Sequence, residues 1–585
     1  MFETIWTPLA ARAATNPDSV AVLQKRFGLW TATTSRALVA RVVATANALR
    51  EHGVERDDVV ALVLAPHEDR VIIDLALQLI GARVVGVPSN TPISRVRQQL
   101  GEAVPVVAVV QGQAAADGIL ELLDEGALPE LRRVYYLDPA GVQEYASTVL
   151  APFPTVDAAS VPEPSTAMAA LAADLDPNAI AVGTSTSGTF EEPTSVLLSH
   201  VNLAAAASAT IEAFDMGPGD RVMSFRPLSD PVERGATIYP ALLSGATLVL
   251  PESRASVGQA MVEIAPTYLH ITPRFAEELA TNVRLRMQST TGLKGLVLKS
   301  WNKRLRQAVE EGRAPSPSGL SRALVGRHVL GKLGLDQVRW LLVSGTPISP
   351  EAVAFYSALG VTLRRAYSMA EVGGFAMATT AGTVGWETAM TPVPGIEAGV
   401  EHGELVLRGP SVSDDASTDG WLRTGDSAES VDDGFVVTGR VGDEVPTSGG
   451  GSVTAQQVAA RLRSSPYIRE AVVAVEDGFV VAVVEPTQST LSRWANAKGL
   501  RFTTAKSLFG LPETQELLRR AVDTAAARLD IQLDDVRVLA APLSVADGTL
   551  TGTEKPVWDA VLAAEVVPTG ARVDTPTDAA ARALK

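Results

Sequence analysis

The chain reads Thr184-Ser-Thr-Ser-Gly-Thr-Phe-Glu-Glu-Pro-Thr-Ser-Val-Leu-Leu-Ser-His200 directly after a short β-rich run, Ala179 to Gly183. A Gly/Ser/Thr loop that follows a strand can wrap a polyphosphate. Glycine lets backbone N–H groups approach the phosphates, and the hydroxyls donate further hydrogen bonds. An ordinary polar turn has the same composition, so the loop taken alone leaves both interpretations open.

Outward from this loop, the sequence alternates between short β-rich runs and helical segments such as Arg36 to His52. This alternation predicts an α/β fold with mostly parallel sheets. The Pro/Ala/Ser-rich stretch from Ala151 to Ala173 is predicted to be a loop or linker. The β-rich runs are Val59 to Leu64, Val84 to Val87, Val106 to Gln111 and Arg133 to Leu137.

Composition narrows the class of protein. The 585 residues are 46% apolar, which is enough for more than one core. A net charge of −16 argues against nucleic acid as the main partner. The chain has no cysteine, which removes disulfides, thiolate metal sites and a cysteine nucleophile, and which fits a cytoplasmic protein. Its six histidines lack metal-ligand spacing, so a histidine-built metal site is not expected.

Membrane contact is predicted to be peripheral at most. The sequence has no signal peptide at its start and no apolar run near the roughly 20 residues that span a bilayer. Residues 284–339 hold twelve Lys and Arg against three acidic residues. This basic stretch fits either a solvated helical insertion or a surface for anionic lipid or acyl-CoA phosphates.

The order of motifs reveals a resemblance to a known family. Thr186 to Val196 keep, without a gap, the frame T-S-G-T-T-G-x-P-K-G-V, and the start of a helix at Ser199-His-Val-Asn-Leu203 follows, as in H-x-N. In this respect the chain resembles the AMP-forming acyl-CoA synthetase and adenylation superfamily. It departs from the family pattern at four loop positions, where Phe190, Glu191, Thr194 and Ser195 stand for Thr, Gly, Lys and Gly.

Further motifs are similar to the long-chain fatty acid ligase branch. The segment from Ser224 to Arg234 resembles P-L-A-H-x-x-E-R, with Asp230 in place of the histidine. Pro266 to Arg274 is similar to the following P-T-x-x-x-x-V-P-R run. Asp547 to Lys555 resembles the ending N-G-x-L-T-P-T-x-K, and Lys555 matches its lysine. The resemblance implies a fatty acid as the substrate.

Nucleotide-binding motifs occur in the family's order. The turn at Gly345 resembles S-G-x-A-P-L but is one residue shorter, and Tyr367-Ser-Met-Ala-Glu371 resembles Y-G-x-T-E. Trp421 to Asp426 is close to W-x-x-T-G-D. The resemblance implies that Tyr367 stacks on adenine, that Glu371 holds Mg²⁺ and that Asp426 binds the ribose.

The resemblance also implies a division of the chain. Gly439-Arg-Val-Gly-Asp443 is similar to the family's G-R-x-x-D hinge. We therefore expect an adenylation domain over residues 1–439 and a small mobile α+β domain over 440–565. The Pro/Thr/Ala-rich residues 566–585 are predicted to form a mobile tail.

The implied activity is ATP-dependent activation of a long-chain fatty acid through an acyl-adenylate, with transfer to CoA. Two alternatives stay open: a catalytically weakened binding or scaffold protein, and a ligase whose acceptor is a carrier protein or an amine. Catalytic roles fall to Lys555 and Glu371. The residues implied to bind the nucleotide are Thr186, Ser187, Gly188, Thr189, Gly345, Tyr367, Asp426 and Arg440.

Overall fold

The computed structural model describes residues 3–88, 91–142, 148–185, 194–288, 300–301, 303, 305, 307, 326–379, 388–432, 434–551 and 555–567. Its strands, in chain order, are β1 (Val20–Arg26), β2 (Leu29–Thr34), β3 (Val59–Val63), β4 (Arg83–Gly86), β5 (Val107–Val110), β6 (Arg133–Tyr136), β7 (Leu150–Pro152), β8 (Ile180–Ser185), β9 (Ser195–Ser199), β10 (Arg221–Met223), β11 (Thr247–Leu250), β12 (Tyr268–Ile271), β13 (Trp340–Ser344), β14 (Leu363–Met369), β15 (Gly374–Ala378), β16 (Thr391–Pro392), β17 (Glu397–Glu401), β18 (Glu404–Arg408), β19 (Leu422–Val431), β20 (Gly434–Arg440), β21 (Glu444–Pro446), β22 (Ser452–Thr454), β23 (Ile468–Glu476), β24 (Phe479–Pro486) and β25 (Asp535–Val538).

The α-helices are α1 (Trp6–Thr15), α2 (Ser35–Glu51), α3 (Glu68–Leu79), α4 (Ile93–Ala103), α5 (Gln113–Asp124), α6 (Pro164–Ala172), α7 (His200–Phe214), α8 (Pro231–Glu233), α9 (Tyr239–Ser244), α10 (Val257–Ile264), α11 (Pro273–Gln288), α12 (Arg327–Leu333), α13 (Pro350–Leu359), α14 (Ala455–Leu462), α15 (Gln488–Ala497), α16 (Ala505–Phe509), α17 (Pro512–Ala526) and α18 (Trp558–Leu562). A π-helical turn, Arg234–Ile238, joins α8 to α9. None of the described helices is both long and apolar enough to cross a membrane.

Two large sheets contain most of the strands, and both are mainly parallel. The seven-stranded sheet has the order β7-β6-β5-β3-β4-β8-β9, and only its last pair is antiparallel. The nine-stranded sheet has the order β16-β15-β14-β13-β12-β10-β11-β1-β2, with a parallel run from β14 to β1. The α/β prediction is confirmed. Ligands of such sheets bind beyond the carboxyl ends of the parallel strands.

One part of the sequence interpretation was wrong. The stretch from Ala151 to Ala173 is not a loop or linker throughout, because it contains the helix α6. Pro164 stands at the start of this helix, where its missing N–H leaves no hydrogen bond unmade, and alanines make up half of the remaining residues. Met168 is fully buried against the core. Proline and alanine therefore signalled a helix start here.

The helix after the Gly/Ser/Thr loop begins as its sequence indicates. Ser199 accepts a hydrogen bond from the backbone N–H of Asn202 at 3.2 Å, and its own N–H donates to the Asn202 side chain at 2.8 Å. This capping box satisfies N–H groups that would otherwise lack a partner at the start of α7. The Asn202 amide also donates to the carbonyls of Pro410 and Val412, at 2.9 and 3.0 Å. The start of α7 is thereby tied to a distant loop.

The carboxyl-terminal part has its own sheet and core. Its three strands have the order β23-β24-β25, with β24 antiparallel to β23 and parallel to β25. Val566 and Val567, the first two residues of the predicted tail, bond to Leu539 and Val538. Residues 568–585 lie outside the described residues. The domain boundaries inferred from the sequence remain predictions.

A network of buried ion pairs, which we call the charged seam, joins α11 to the carboxyl-terminal part. It consists of Arg274, Glu277, Arg463, Glu470 and Glu485, whose side chains are at most 9% exposed. Arg463 donates to Glu277 and to Glu470, each at 3.0 Å. Arg274 donates to Glu485 at 3.2 Å. The seam holds the carboxyl-terminal part against the nine-stranded sheet.

Candidate active site

A cavity of about 550 Å³ opens at the carboxyl ends of β13 and β14. Strands β19 and β20 form one wall of this cavity, and the segment that contains Val545, Leu550 and Lys555 forms another. Residues far apart in the sequence therefore meet around one space. Its position matches the crevice in which ligands bind to open α/β sheets.

The structure brings together six of the residues predicted to form the site. Thr186, Ser187, Gly188 and Thr189, which were expected to grip phosphates, lie outside the described residues, while Thr194 at the far end of the same loop lines the cavity. The six predicted residues that line the cavity are Gly345, Tyr367, Glu371, Asp426, Arg440 and Lys555.

Asp426 is the centre of a short hydrogen-bonded chain. One of its carboxylate oxygens accepts from the Tyr367 hydroxyl, and the other accepts from Arg440 Nη1 at 3.2 Å. The same Arg440 nitrogen donates to the Thr424 carbonyl at 3.0 Å. The antiparallel pairing of β19 with β20 places Asp426 directly opposite Arg440. Burial raises the pKa of Asp426, and burial next to this carboxylate raises that of Tyr367.

Glu371 follows the end of β14, in a short turn that closes this side of the cavity. Burial raises the pKa of its carboxyl group, and the negative charge of Asp426 acts in the same direction. A carboxylate of this kind suits Mg²⁺, which takes one or two protein oxygens and completes its shell with phosphate and water. No cluster of three or more potential metal-binding side chains occurs within the described ranges. A single carboxylate can serve as one of the few protein ligands that Mg²⁺ takes.

Lys555 lines the same cavity as several carboxylates. Enclosure away from bulk water lowers the pKa of its ammonium group, while the nearby charges of Asp230, Asp426 and Glu371 act in the opposite direction. Its side chain packs against Gly345, where an added Cβ would lie 3.4 Å from Lys555 Cε. In the part of the chain that the structure describes, this ammonium forms no ion pair. It is therefore available to an anionic ligand.

The sequence interpretation missed a polar group in the wall of the cavity. Arg226, Asp230 and Ser344 belong to this wall, and His270 lies behind them. The only signal in the sequence was Asp230, which replaces the histidine of the long-chain pattern. Arg365 was also missed. It lines the cavity, and its Nη1 is buried without a hydrogen-bond partner among the described residues.

The sequence model of the AMP-binding enzyme family matches residues 9–414, which is more than half of the chain. The chain belongs to the AMP-binding enzyme family. The protein is an adenylate-forming acid ligase. The resemblance inferred from the motifs is confirmed.

Individual members of the AMP-binding family show how far the similarity extends. The long-chain-fatty-acid–CoA ligase FadD15 of Mycobacterium bovis is 26% identical over 580 residues, which cover 92% of each chain. The peroxisomal long chain acyl-CoA synthetase 6 of Arabidopsis thaliana is 23% identical over 414 residues, covering 65% of this chain and 58% of that protein.

Solved structures support the fold assignment. The anthranilate CoA ligase AuaEII, solved with anthranoyl-AMP, has a TM-score of 0.68 at 16% identity and covers 95% of each chain. The A domain of a carboxylic acid reductase from Segniliparus rugosus, solved with AMP and a co-purified carboxylic acid, also has a TM-score of 0.68, at 19% identity. That alignment covers 100% of this chain and 94% of the domain.

Proposed function

We propose that the protein activates a fatty acid with ATP, through an acyl-adenylate, and transfers the acyl group to CoA. The observation that carries this proposal is the Lys555 ammonium, which lies in the cavity without an ion-pair partner among the described residues. The long-chain acyl-CoA ligases among the relatives support a fatty acid as substrate and CoA as acceptor.

The nucleotide is proposed to occupy the side of the cavity formed by β14, β19 and β20. Tyr367 would stack on the adenine, and the acceptor oxygens of Asp426 suit the two hydroxyls of the ribose. Arg440 holds the Asp426 carboxylate in place through its 3.2 Å hydrogen bond. Gly345 lets the turn before α13 approach the nucleotide closely, because it has φ +107°, which is a left-handed conformation.

In the first step, a carboxylate oxygen of the acid attacks the α-phosphorus of ATP, and pyrophosphate leaves with the electrons of the broken P–O bond. Lys555 would neutralise the charges of the acid and the α-phosphate as they meet. Glu371 would hold Mg²⁺, which spreads phosphate charge when it is bound. The Thr186 to Thr189 loop is proposed to contact the phosphates.

In the second step, the thiol sulfur of CoA attacks the acyl carbon and AMP leaves. The thiol proton passes to solvent, so that the products are the thioester and AMP. We propose that the residues after Gly439 move as a small domain between the two steps, with Arg440 to Asp443 as the hinge. This movement would carry Lys555 away from the cavity.

The function is tested by measuring the release of pyrophosphate and AMP from ATP with a panel of acids, with and without CoA. A fatty acid ligase releases both products only when acid is present, and it forms a thioester only when CoA is added. AMP release that requires a carrier protein or an amine would favour the alternative acceptors. Adenine nucleotide binding with no acid-dependent release would favour the scaffold alternative.

Adenine nucleotides are expected to raise the melting temperature of the protein. A ligand that binds only the folded state stabilises it by about 2.7 kcal/mol at a concentration of 100 Kd. AMP is expected to be effective because Tyr367 and Asp426 do not depend on the altered loop. Melting scans with millimolar AMP and ATP check this, with Asp426→Ala as the control that should lose the shift. A wild-type protein that no adenine nucleotide stabilises would contradict the nucleotide site.

The altered loop is expected to weaken ATP binding. At the positions of the family's Gly and Lys, Glu191 and Thr194 add an anion and omit a cation. The double change Glu191→Gly with Thr194→Lys should lower the KM for ATP about tenfold, equivalent to about 1.4 kcal/mol, and should leave AMP affinity unchanged. Steady-state kinetics and AMP titration check both values. An unchanged or higher KM for ATP in a folded double variant would mean that the loop does not meet the triphosphate.

A further inference from the structure

An ion pair in the segment that follows β10 lines the same cavity as Lys555. Arg226 Nη2 donates to Asp230 Oδ2, and the two residues are 7% and 6% exposed. The other Asp230 oxygen accepts from the backbone N–H of Val232 at 3.1 Å, which fixes the carboxylate at the start of α8. Arg226 is fixed as well, because its carbonyl accepts from Arg70 at 2.8 Å. The pair is a rigid part of the wall.

Two further polar side chains extend this wall. Arg226 Nη1 lies 3.0 Å from His270 Nε2, which also lies 2.7 Å from the Ser344 hydroxyl. Burial and the charge of Arg226 lower the pKa of His270 well below its usual value. Because a guanidinium can only donate, Nε2 accepts from Arg226, and the Ser344 hydroxyl donates to the same nitrogen. This wall therefore presents a carboxylate, a guanidinium and a hydroxyl to the cavity.

The place of Arg226 and Asp230 in the cavity assigns this wall to the acid substrate rather than to the nucleotide. In the nine-stranded sheet, β10, which leads to Arg226 and Asp230, lies three strands from β14, which carries Tyr367, so the two groups occupy different parts of the cavity wall. Asp426 belongs to the proposed ribose site. Within the proposed function, on which this argument rests, the acid joined to the α-phosphate at Lys555 must extend toward Asp230 and Arg226.

The protein is tightly packed behind the wall. An added Cβ at Gly235 would lie 2.1 Å from the Gly373 carbonyl oxygen, so the π-helical turn touches the turn before β15 directly. Tyr268 also donates from its hydroxyl to the Ala236 carbonyl at 2.8 Å. Between these described residues there is no room for an alkyl chain. Substituents close to a carboxylate held at Lys555 meet Asp230 and Arg226, because all three residues line the same cavity.

We infer that Asp230 and Arg226 select a carboxylic acid that bears a hydroxyl on the second or third carbon. A hydroxyl group donates to the Asp230 carboxylate and accepts from Arg226, so it matches both members of the pair. An ammonium group would match Asp230 but would face the Arg226 guanidinium. An unsubstituted alkyl group would cover both charges and make no hydrogen bond to either of them.

The test compares acids of one length: octanoate, 2-hydroxyoctanoate and 3-hydroxyoctanoate. At least one hydroxy acid should give a kcat/KM in acid-dependent pyrophosphate release that is about tenfold or more above that of octanoate, since sites built around a substrate hydroxyl reject analogues that lack it. The wild-type protein should also be stabilised more by that hydroxy acid in melting scans. A ratio of one or less in both measurements overturns the inference.

Variants of Asp230 and Arg226 test whether this ion pair causes the preference for a hydroxy acid. Asp230→Asn keeps the size of the side chain and should reduce the ratio of kcat/KM for the hydroxy acid to that for octanoate. The double variant Arg226→Met with Asp230→Asn removes both charges together, so that the test does not depend on the folding of the single variant. Asp215→Asn is the matched control, because the Asp215 side chain is 98% exposed, and it should leave the ratio unchanged. An unchanged ratio in a folded double variant overturns the role of the pair.

The two proposals can fail separately. If no acid supports pyrophosphate release but the hydroxy acid still stabilises the wild-type protein more than octanoate does, the proposed function is wrong and the inference about the acid side stands. If octanoate is activated as well as the hydroxy acids, the ligase activity stands and the inference is wrong.

Discussion

Lys555→Ala is expected to reduce acid-dependent pyrophosphate release by roughly 100- to 1000-fold, the loss seen when one group that stabilises transition-state charge is removed. The Lys555 ammonium forms no ion pair with the described residues and lines the same cavity as Asp230 and Asp426. Without the Lys555 ammonium, the anionic acid and the anionic α-phosphate would approach each other with no cation from this residue between them.

The loss should be confined to the first half-reaction. Transfer of the acyl group from supplied acyl-AMP to CoA should proceed at nearly the wild-type rate, because Lys555 is proposed to leave the cavity before that step. Single-turnover assays of the two half-reactions separate the effects. Lys506→Ala is the matched control, since Lys506 is 57% exposed and pairs with Glu565 away from the cavity. Equal losses in both half-reactions would contradict this division of roles.

Arg463→Ala is expected to lower the free energy of unfolding by about 3 to 5 kcal/mol, because it leaves buried carboxylates without their cation. Arg463 donates to Glu277 and Glu470 at 3.0 Å and to the Pro347 carbonyl at 2.6 Å. Burial raises the pKa of Glu277, and the charge of Arg463 acts against this rise. Pro347 lies in the turn that contains Gly345, so the cavity should loosen as well.

Urea unfolding and melting scans measure this effect. Arg520→Ala is the control, because Arg520 is 74% exposed and its pair with Glu516 lies on the surface. This surface change should alter the free energy of unfolding by no more than about 0.5 kcal/mol. The triple change Arg463→Met, Glu277→Gln and Glu470→Gln removes the charges together and should recover part of the lost stability. An Arg463→Ala protein as stable as the Arg520→Ala protein would show that the seam contributes little.

Much of the fold could be predicted from the sequence, because short apolar runs between helical segments are a local signal. The run predicted from Arg133 to Leu137 is the strand Arg133–Tyr136, and the helix predicted from Arg36 to His52 is Ser35–Glu51. The α6 helix was missed because proline and alanine were interpreted as marks of a linker. At the start of a helix, proline favours that helix.

Site residues that lie in sequence motifs could be predicted. Residues that only the packing of the fold brings together could not. Tyr367 and Asp426 belong to separate motifs whose order pointed to one site, and the structure joins them through a hydrogen bond. By contrast, Arg463 and Glu277 are 186 residues apart, and neither lies in a recognisable motif. Arg226 lies four residues from Asp230, but only the fold turns this pair toward the cavity.

The charged seam restricts how this chain can recombine with its relatives. Glu277 comes from the portion that the family model matches, and Arg463 comes from beyond it. Any crossover between these two positions, including one at the proposed hinge, would combine one half of the seam with a foreign partner. Such chimeras should fold only if the donor supplies complementary charges at the positions of Arg463, Glu470 and Glu485. The two parts of the gene are therefore expected to be inherited together.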